Sequence, residues 1–164
     1  IWLIPVSVAM YILISTPSNN YGVIGFLFVT SFLIALYEEI LFRAIGLGVL
    51  LNSGITPLKA ILISSLIFAF SHLVFKSELN LSSLSLLLNS FAMGFILGYI
   101  YFKTKNIIYI ISIHFVWDCA IFLNQRVADR DTGLIVTLVL LAVTVWYFIW
   151  SFKKCKNYDE LSKQ

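Results

Sequence analysis

The stretch Tyr37–Arg43, with the sequence YEEILFR, places three ionisable side chains inside a long apolar run from Gly22 to Leu51. An ionisable group at the middle of a membrane costs at least a few kcal/mol to insert, so such groups are rare, paired and usually functional. Glu39 and Arg43 are four residues apart, so on a helix they share one face and can pair. Glu38 points about 100° away from that face and has no such local cation. Glu38 is therefore the candidate for chemistry, and the alternative is that all three side chains form one structural polar cluster.

The composition of the whole chain is that of an integral membrane protein. Of its 164 residues, 60% are hydrophobic and 12% are charged, and the mean hydropathy is +0.97. Soluble domains are nearer to about 25% charged. The net charge of +3 is too small to indicate a nucleic acid partner. The composition therefore predicts the lipid bilayer as a partner and no nucleic acid.

The apolar runs predict an all-α fold, a polytopic membrane bundle of about six transmembrane helices with a polar cavity inside the membrane. We expect residues 1–152 to form a single membrane-embedded domain and residues 153–164 a short polar tail. At the turn after the second run, Thr56 is a candidate N-cap and Pro57 a candidate first helical residue. The predicted spans are Trp2–Ser15, Tyr21–Leu51, Leu58–Phe75, Leu81–Phe102, Ile107–Leu123 and Gly133–Phe152.

The distribution of lysines predicts the orientation of these spans. Cytoplasmic loops carry an excess of Lys and Arg. If the spans alternate, one side of the membrane receives Lys59, Lys103, Lys105, Lys153, Lys154 and Lys156. We therefore expect a multi-pass protein of the cell membrane with its C-terminal tail in the cytoplasm.

Both histidines of the chain lie in apolar runs, and each has an alternative, purely structural interpretation. His72 can be a satisfied polar packing residue. His114 and Asp118 are four residues apart and share a helix face, so they can satisfy each other locally or point together into a cavity. Glu38 lies roughly 16 residues before the turn near Gly54 and His72 roughly 18 after it, so at about 1.5 Å per residue the two are nearly level across a helical hairpin.

A carboxylate, two imidazoles and a second carboxylate are the groups that activate water for hydrolysis. They can act directly by general acid–base catalysis, or they can bind a metal ion that lowers the pKa of a bound water. The residues alone leave both mechanisms open.

Three motifs in this order resemble the CPBP family, which includes the type II CAAX prenyl endopeptidases and the bacteriocin-processing or immunity proteins also called the Abi family. The family pattern is Glu-Glu-x-x-x-Arg, then Phe-x-x-x-His, then His-x-x-x-Asn or Asp, each on its own span. The matching segments are Glu38–Arg43, Phe68–His72 and His114–Asp118. The resemblance covers residues 26–124 and implies an intramembrane protease.

The resemblance also implies a role for each motif residue. Glu38 and His72 are expected to activate water, and His114 and Asp118 to hold the oxyanion. Glu39 and Arg43 are expected to support the site structurally. The same family includes enzymes described as metalloendopeptidases, and a zinc ion, if present, would be held by Glu38, His72 and His114. Water activation without any cofactor is the favoured mechanism.

Asp118 departs from the prenyl-protein enzymes, which have Asn at the corresponding position. An ionised carboxylate cannot donate a hydrogen bond to an oxyanion. Asp118 is therefore protonated, or it orients His114, or the site binds a metal. This difference weakens the case for a prenylated substrate more than the case for proteolysis. The expected substrate is therefore a peptide or membrane-associated protein, either prenylated or a bacteriocin precursor.

Two functions of other classes compete with proteolysis. One is a non-enzymatic membrane protein of the bacteriocin-immunity type, which acts by binding a receptor. The other is a proton-coupled carrier that uses Glu38, His72 and His114 as a relay. Carriers commonly contain internal repeats, and this chain has no visible repeat, which makes the carrier the less favoured of the two.

Overall fold

The computed structural model describes residues 21–74, 81–127, 142, 145–154 and 157. Within these residues every regular element is a helix, and no β-strand occurs among them. Three predicted parts lie outside the described residues: the first span, most of the sixth span and most of the polar tail. Residues 76–80, between the predicted third and fourth spans, lie outside them as well. The all-helical class is confirmed for the described part of the chain.

The helices follow one another in the order that the apolar runs predict. They are α1 (Tyr21–Glu39), a π-helical segment (Ile40–Leu47), α2 (Gly48–Asn52), α3 (Pro57–Ser71), α4 (Leu81–Thr104) and α5 (Ile107–Val127). Residues 145–154 are also helical.

Two of these helical stretches are long and apolar enough to cross a membrane by length and composition. They are Ile24–Asn52 and Leu86–Thr104, and shorter apolar helices occupy Pro57–Ser71 and Ile107–Phe122. The long second run is thus helical throughout, as predicted. The count of about six membrane spans stays a prediction.

The turn before α3 has the predicted backbone, although Thr56 does not cap the helix through its side chain. Gly54 adopts a positive φ of 79°, which glycine reaches without steric cost. Pro57 is the first residue of α3, where its missing N–H costs no hydrogen bond. Thr56 occupies the N-cap position with extended backbone but makes no capping hydrogen bond with its hydroxyl.

The largest differences from the predicted helix boundaries are at the ends of α3 and α5. Helix α3 ends at Ser71, earlier than the predicted Phe75, because the N–H groups of His72, Leu73 and Val74 bond to carbonyls three residues earlier in a tightened last turn. Helix α5 continues to Val127, past the predicted end of its span at Leu123. The polar and charged residues after Leu123 predict a loop, which is wrong for residues 124–127. The polar residues Asn124, Gln125 and Arg126 resemble a loop in sequence, which explains the second error.

The chain forms two compact units. Unit 1 combines the described parts of Ile1–Glu39 and Ile108–Leu140, and unit 2 those of Ile40–Ile107 and Leu141–Gln164. Unit 1 therefore holds α1 and nearly all of α5. Unit 2 holds the π-helical segment, α2, α3 and α4.

Unit 2 is built on the close approach of α3 and α4. A Cβ atom added at Gly94 would lie 3.0 Å from Phe68 Cδ1 and 3.2 Å from Ser65 Cα, and one added at Gly98 would lie 3.2 Å from Ile61 Cγ2. Small residues four apart allow two helices to approach this closely. The Gly-x-x-x-Gly pair of α4 is therefore a helix-packing motif, as its spacing indicates.

Candidate active site

The centre of unit 1 is a hydrogen bond between Glu39 and His114, which are 75 residues apart in sequence. The Nδ1 atom of His114 lies 2.8 Å from Glu39 Oε1, and the Glu39 side chain is fully buried. A carboxylate oxygen accepts, so His114 donates from Nδ1. A carboxylate that accepts a hydrogen bond from one imidazole nitrogen fixes the orientation of the ring. It also determines which of the two ring nitrogens carries the hydrogen.

The other nitrogen of His114 faces two further carboxylates. Its Nε2 atom lies 3.7 Å from Glu38 Oε2 and 3.6 Å from Asp118 Oδ1. Both distances are too long for a direct hydrogen bond and are within reach through small side-chain movements or a water molecule. Unit 1 thus brings Glu38, His114 and Asp118 together around one imidazole nitrogen.

Glu38 presents an acceptor atom at this centre. Its Oε2 atom is buried and forms no hydrogen bond with any residue in the described part of the chain. A buried polar atom of this kind normally finds a partner in protein or water. The atom is therefore available to a donor from solvent or substrate.

The aromatic side chains beside this centre join α1 to α5. Phe115 follows His114 and makes edge-to-face contacts with Phe28 and Phe32, with ring centroids 5.8 Å and 6.0 Å apart. Such pairs contribute about 0.5–1.5 kcal/mol beyond the burial of their area. They stabilise the pairing of the two helices that carry the polar groups.

His114 can act in two ways, depending on its protonation. With Nδ1–H donated to Glu39, a neutral ring carries a lone pair on Nε2 and accepts a proton there. A ring protonated on both nitrogens donates from Nε2 and can hold a developing negative charge. The arrangement therefore suits a residue that stabilises an oxyanion or transfers a proton at Nε2.

His72 lies in unit 2, at the C-terminal cap of α3. Its Nδ1 atom is 2.9 Å from the Phe68 carbonyl oxygen. A carbonyl only accepts, so Nδ1 carries the hydrogen and the Nε2 of a neutral His72 carries the lone pair. His72 is partly exposed. Glu38 belongs to unit 1 and His72 to unit 2. The expectation that the two residues lie at the same level of a helical hairpin stays a prediction.

Arg43 is buried in the π-helical segment of unit 2. Its guanidinium lies 4.2 Å from the centroid of the Phe68 ring, and Nη2 is 3.4 Å from the Gly94 carbonyl. The Phe42 carbonyl in the same segment accepts a hydrogen bond from Ser64 Oγ at 2.9 Å. π-Helical turns are rare and frequently occur at functional sites. The predicted pair of Glu39 with Arg43 stays a prediction.

The sequence did not indicate that Glu39 orients His114. Its position beside Glu38 and four residues before Arg43 suggested only a structural ion pair. Glu39 and His114 are 75 positions apart on different helices, so no local spacing connects them. The signal that could have found the pair is an acidic residue and a histidine in two separate apolar runs. The hydrogen bond to His114 is therefore a contact of Glu39 that the prediction of structural support did not include.

A metal site is the alternative to direct water activation. In the described residues, no group of three His, Cys, Asp or Glu side chains is arranged to hold a metal ion. Glu38 Oε2 and Asp118 Oδ1 lie 3.7 Å and 3.6 Å from His114 Nε2. Imidazole and carboxylate groups are both ligands that zinc accepts. The favoured mechanism without a metal stays a prediction, and zinc binding by Glu38, His72 and His114 stays its alternative.

Comparison with known proteins identifies the family. A family model described as type II CAAX prenyl endopeptidase Rce1-like matches residues 20–120, which include all three motifs. This family consists of membrane-embedded proteases. No curated protein and no solved structure matches the chain. The match covers well over half of the sequence, and the chain therefore belongs to the Rce1-like family of type II CAAX prenyl endopeptidases.

Proposed function

We propose that the protein is an intramembrane endopeptidase that hydrolyses a peptide bond in a membrane-associated protein or peptide, with Glu38 as the general base. The observation that carries the proposal is the arrangement around His114. Glu39 holds this ring through Nδ1, and Nε2 faces Glu38 and Asp118 at 3.7 Å and 3.6 Å. A base and an oxyanion stabiliser so close together are what amide hydrolysis needs.

In this proposal each step uses a named atom. Glu38 takes a proton from water, and the hydroxide that forms adds to the carbonyl carbon of the scissile bond. The carbonyl oxygen becomes the oxyanion, which accepts hydrogen bonds from His114 Nε2–H and from Asp118 in its protonated form. The oxyanion then re-forms the carbonyl group, the C–N bond breaks, and the proton held by Glu38 passes to the nitrogen of the leaving amine. From the family resemblance, His72 is assigned to assist Glu38 in the proton transfers.

The substrate class is a peptide or small protein that reaches the site from the bilayer. The proposal includes both a prenylated protein and a bacteriocin precursor as candidates, and it needs no metal. The tail at the C-terminus is proposed to be cytoplasmic because of its lysines.

The proposal is tested by hydrolysis in ¹⁸O-labelled water. Purified full-length protein in detergent is given a membrane-anchored peptide in farnesylated and unmodified forms, and the products are analysed by mass spectrometry. We expect one ¹⁸O atom in the new carboxyl terminus and little effect of a strong zinc chelator. Intact peptide in both forms would contradict the proposal for these substrates, and activity that zinc restores after chelation would contradict its metal-free mechanism.

Asp118→Asn tests whether Asp118 acts as a neutral donor. An amide donates a hydrogen bond without being protonated, so we expect Asp118→Asn to keep cleavage within about tenfold of the wild type. Asp118→Ala removes the donor, and loss of one oxyanion donor costs about 10²–10³-fold in kcat. The measurement is kcat for the two purified variants at equal folded concentration. Equal loss in both variants would show that the carboxylate itself is required.

A further inference from the structure

Phe68 contacts two of the motif side chains at once. Its ring is 4.7 Å from the His72 ring, centroid to centroid, in an edge-to-face arrangement, and the Arg43 guanidinium lies 4.2 Å from its centroid. A cation over the face of an aromatic ring is attracted by the ring's electrons, most strongly at desolvated sites. Phe68 is 2% exposed. It therefore joins Arg43 to His72 within unit 2.

The backbone of Phe68 contacts His72 as well. The Phe68 carbonyl accepts hydrogen bonds from His72 Nδ1 at 2.9 Å and from Ser71 Oγ at 2.7 Å. The ring contact sets the tilt of the imidazole, and the carbonyl sets which nitrogen carries the hydrogen. Both constraints on His72 come from the residue four positions earlier.

The space for the Phe68 ring depends on Gly94. A Cβ atom at this position would lie 3.0 Å from Phe68 Cδ1, closer than two carbon atoms normally approach. The Gly94 carbonyl also lies 3.4 Å from Arg43 Nη2. Phe42 closes a further side of the ring with an edge-to-face contact at 5.2 Å. Gly94, Arg43 and Phe42 together hold the Phe68 ring in one place.

We propose that Phe68 is a positioning residue that holds His72 as the Nδ1–H tautomer and so presents Nε2 for proton transfer. Free imidazole side chains in water favour hydrogen on Nε2, so the native tautomer has to be imposed by contacts. The consequence for cleavage rests on the proposed function, in which His72 assists Glu38. The tautomer itself does not depend on that function and is measured separately.

The first experiment measures the tautomer by ¹⁵N NMR of the full-length protein with labelled histidine, in detergent. The chain has two histidines, so the signals are assigned with His72→Gln and His114→Gln. At a pH where the ring is neutral, we expect a pyrrole-type Nδ1 and a pyridine-type Nε2 for His72. Phe68→Leu and Phe68→Met keep the carbonyl but remove the ring contact that holds the imidazole against it, so we expect both signals to move toward an averaged position. An Nε2–H tautomer in the wild type, or an unchanged pattern in a folded variant, would overturn the proposal.

The second experiment measures cleavage of the membrane-anchored peptide. Misplacement of a catalytic group by about 1 Å can cost about 10²-fold, so we expect kcat to fall about 10-fold or more in Phe68→Leu with KM changed less than about 2-fold. Phe95→Leu is the matched control, because Phe95 is also fully buried in unit 2 and packs on Phe148 and Phe152 instead.

The control separates positioning from stability. Phe95→Leu removes a ring of the same size, so it should lower thermal stability comparably while keeping the His72 signals and kcat of the wild type. If Phe95→Leu changes both readouts as much as Phe68→Leu, the effect is general loosening and the proposal is wrong. Phe68→Met decides the question if Phe68→Leu does not fold. If the wild type cleaves nothing, the NMR result still tests the tautomer, and the failure belongs to the proposed function alone.

Discussion

Replacing Glu38 by Gln is expected to lower kcat for peptide cleavage by about 10²–10⁴-fold, the usual contribution of a general base. The amide of Gln has nearly the shape of the carboxylate but cannot take a proton from water. KM should change little, because the substitution leaves the size of the side chain unchanged. The measurement is steady-state cleavage by the purified variant.

The same substitution should leave the protein as stable as the wild type or make it more stable. The buried Oε2 atom of Glu38 makes no hydrogen bond with any residue that the structure describes, and its ion-pair distance to His114 Nε2 is 3.7 Å. A carboxylate costs more to desolvate than an amide, so removing its charge relieves part of that cost. Active-site residues often destabilise the folded protein, so replacing one commonly lowers activity while the stability is kept or raised.

Tyr37→Phe is the control for Glu38→Gln. Tyr37 is adjacent to Glu38 on α1 and its side chain is 67% exposed, so the control changes the same helical turn and no polar group of the site. It should keep wild-type cleavage and wild-type melting. Full cleavage by Glu38→Gln would exclude Glu38 as the base. Retained immunity or transport in that variant would favour one of the non-proteolytic functions.

The sequence predicted the helices well because their signal is local. The apolar run around Tyr37–Arg43 predicts a long helix, and the structure has helical residues from Tyr21 to Asn52. The π-helical segment within this run was not predicted. Its backbone hydrogen bonds differ from those of an α-helix, while the pattern of apolar side chains is compatible with both.

The site was predictable only where its residues are close in sequence. The four-residue spacing of His114 and Asp118 indicated a shared face, and the structure has Nε2 and Oδ1 3.6 Å apart. The hydrogen bond from His114 to Glu39 depends on how α1 packs against α5, and no spacing encodes it. The tautomer of His72 depends on the tightened last turn of α3, which sequence patterns do not reveal.

Replacing Glu39 by Gln is expected to damage both stability and activity, in contrast to the neighbouring Glu38. Glu39 is fully buried and accepts the 2.8 Å hydrogen bond from His114 Nδ1. Hydrogen bonds to charged groups contribute about 1.5–3 kcal/mol, so the free energy of unfolding should fall by about that amount. The measurement is thermal and denaturant unfolding of the purified variant in detergent.

The loss of activity in Glu39→Gln should come from the orientation of His114. In a Ser-His-Asp triad, replacing the carboxylate that orients the histidine by an amide lowers kcat about 10⁴-fold because the wrong tautomer forms. His114 faces Glu38 and Asp118 at longer distances than in a triad, so we expect a smaller loss, of about 10²-fold. The ¹⁵N signals of His114 should change with it, since a neutral amide does not stabilise the doubly protonated ring that donates to Glu39 from Nδ1 and to the oxyanion from Nε2.

Glu39→Asp separates the two effects, because it keeps the charge and shortens the side chain by one methylene. It should retain hydrogen on His114 Nδ1 while lengthening the contact, and cleavage should fall less than in Glu39→Gln. A Glu39→Gln variant that is stable but inactive, beside a Glu38→Gln variant that still cleaves, would show that the base is Glu39. Equal melting and equal cleavage in both variants would show that the pair shares one role, because a buried orienting carboxylate and a base available to substrate must respond differently to loss of charge.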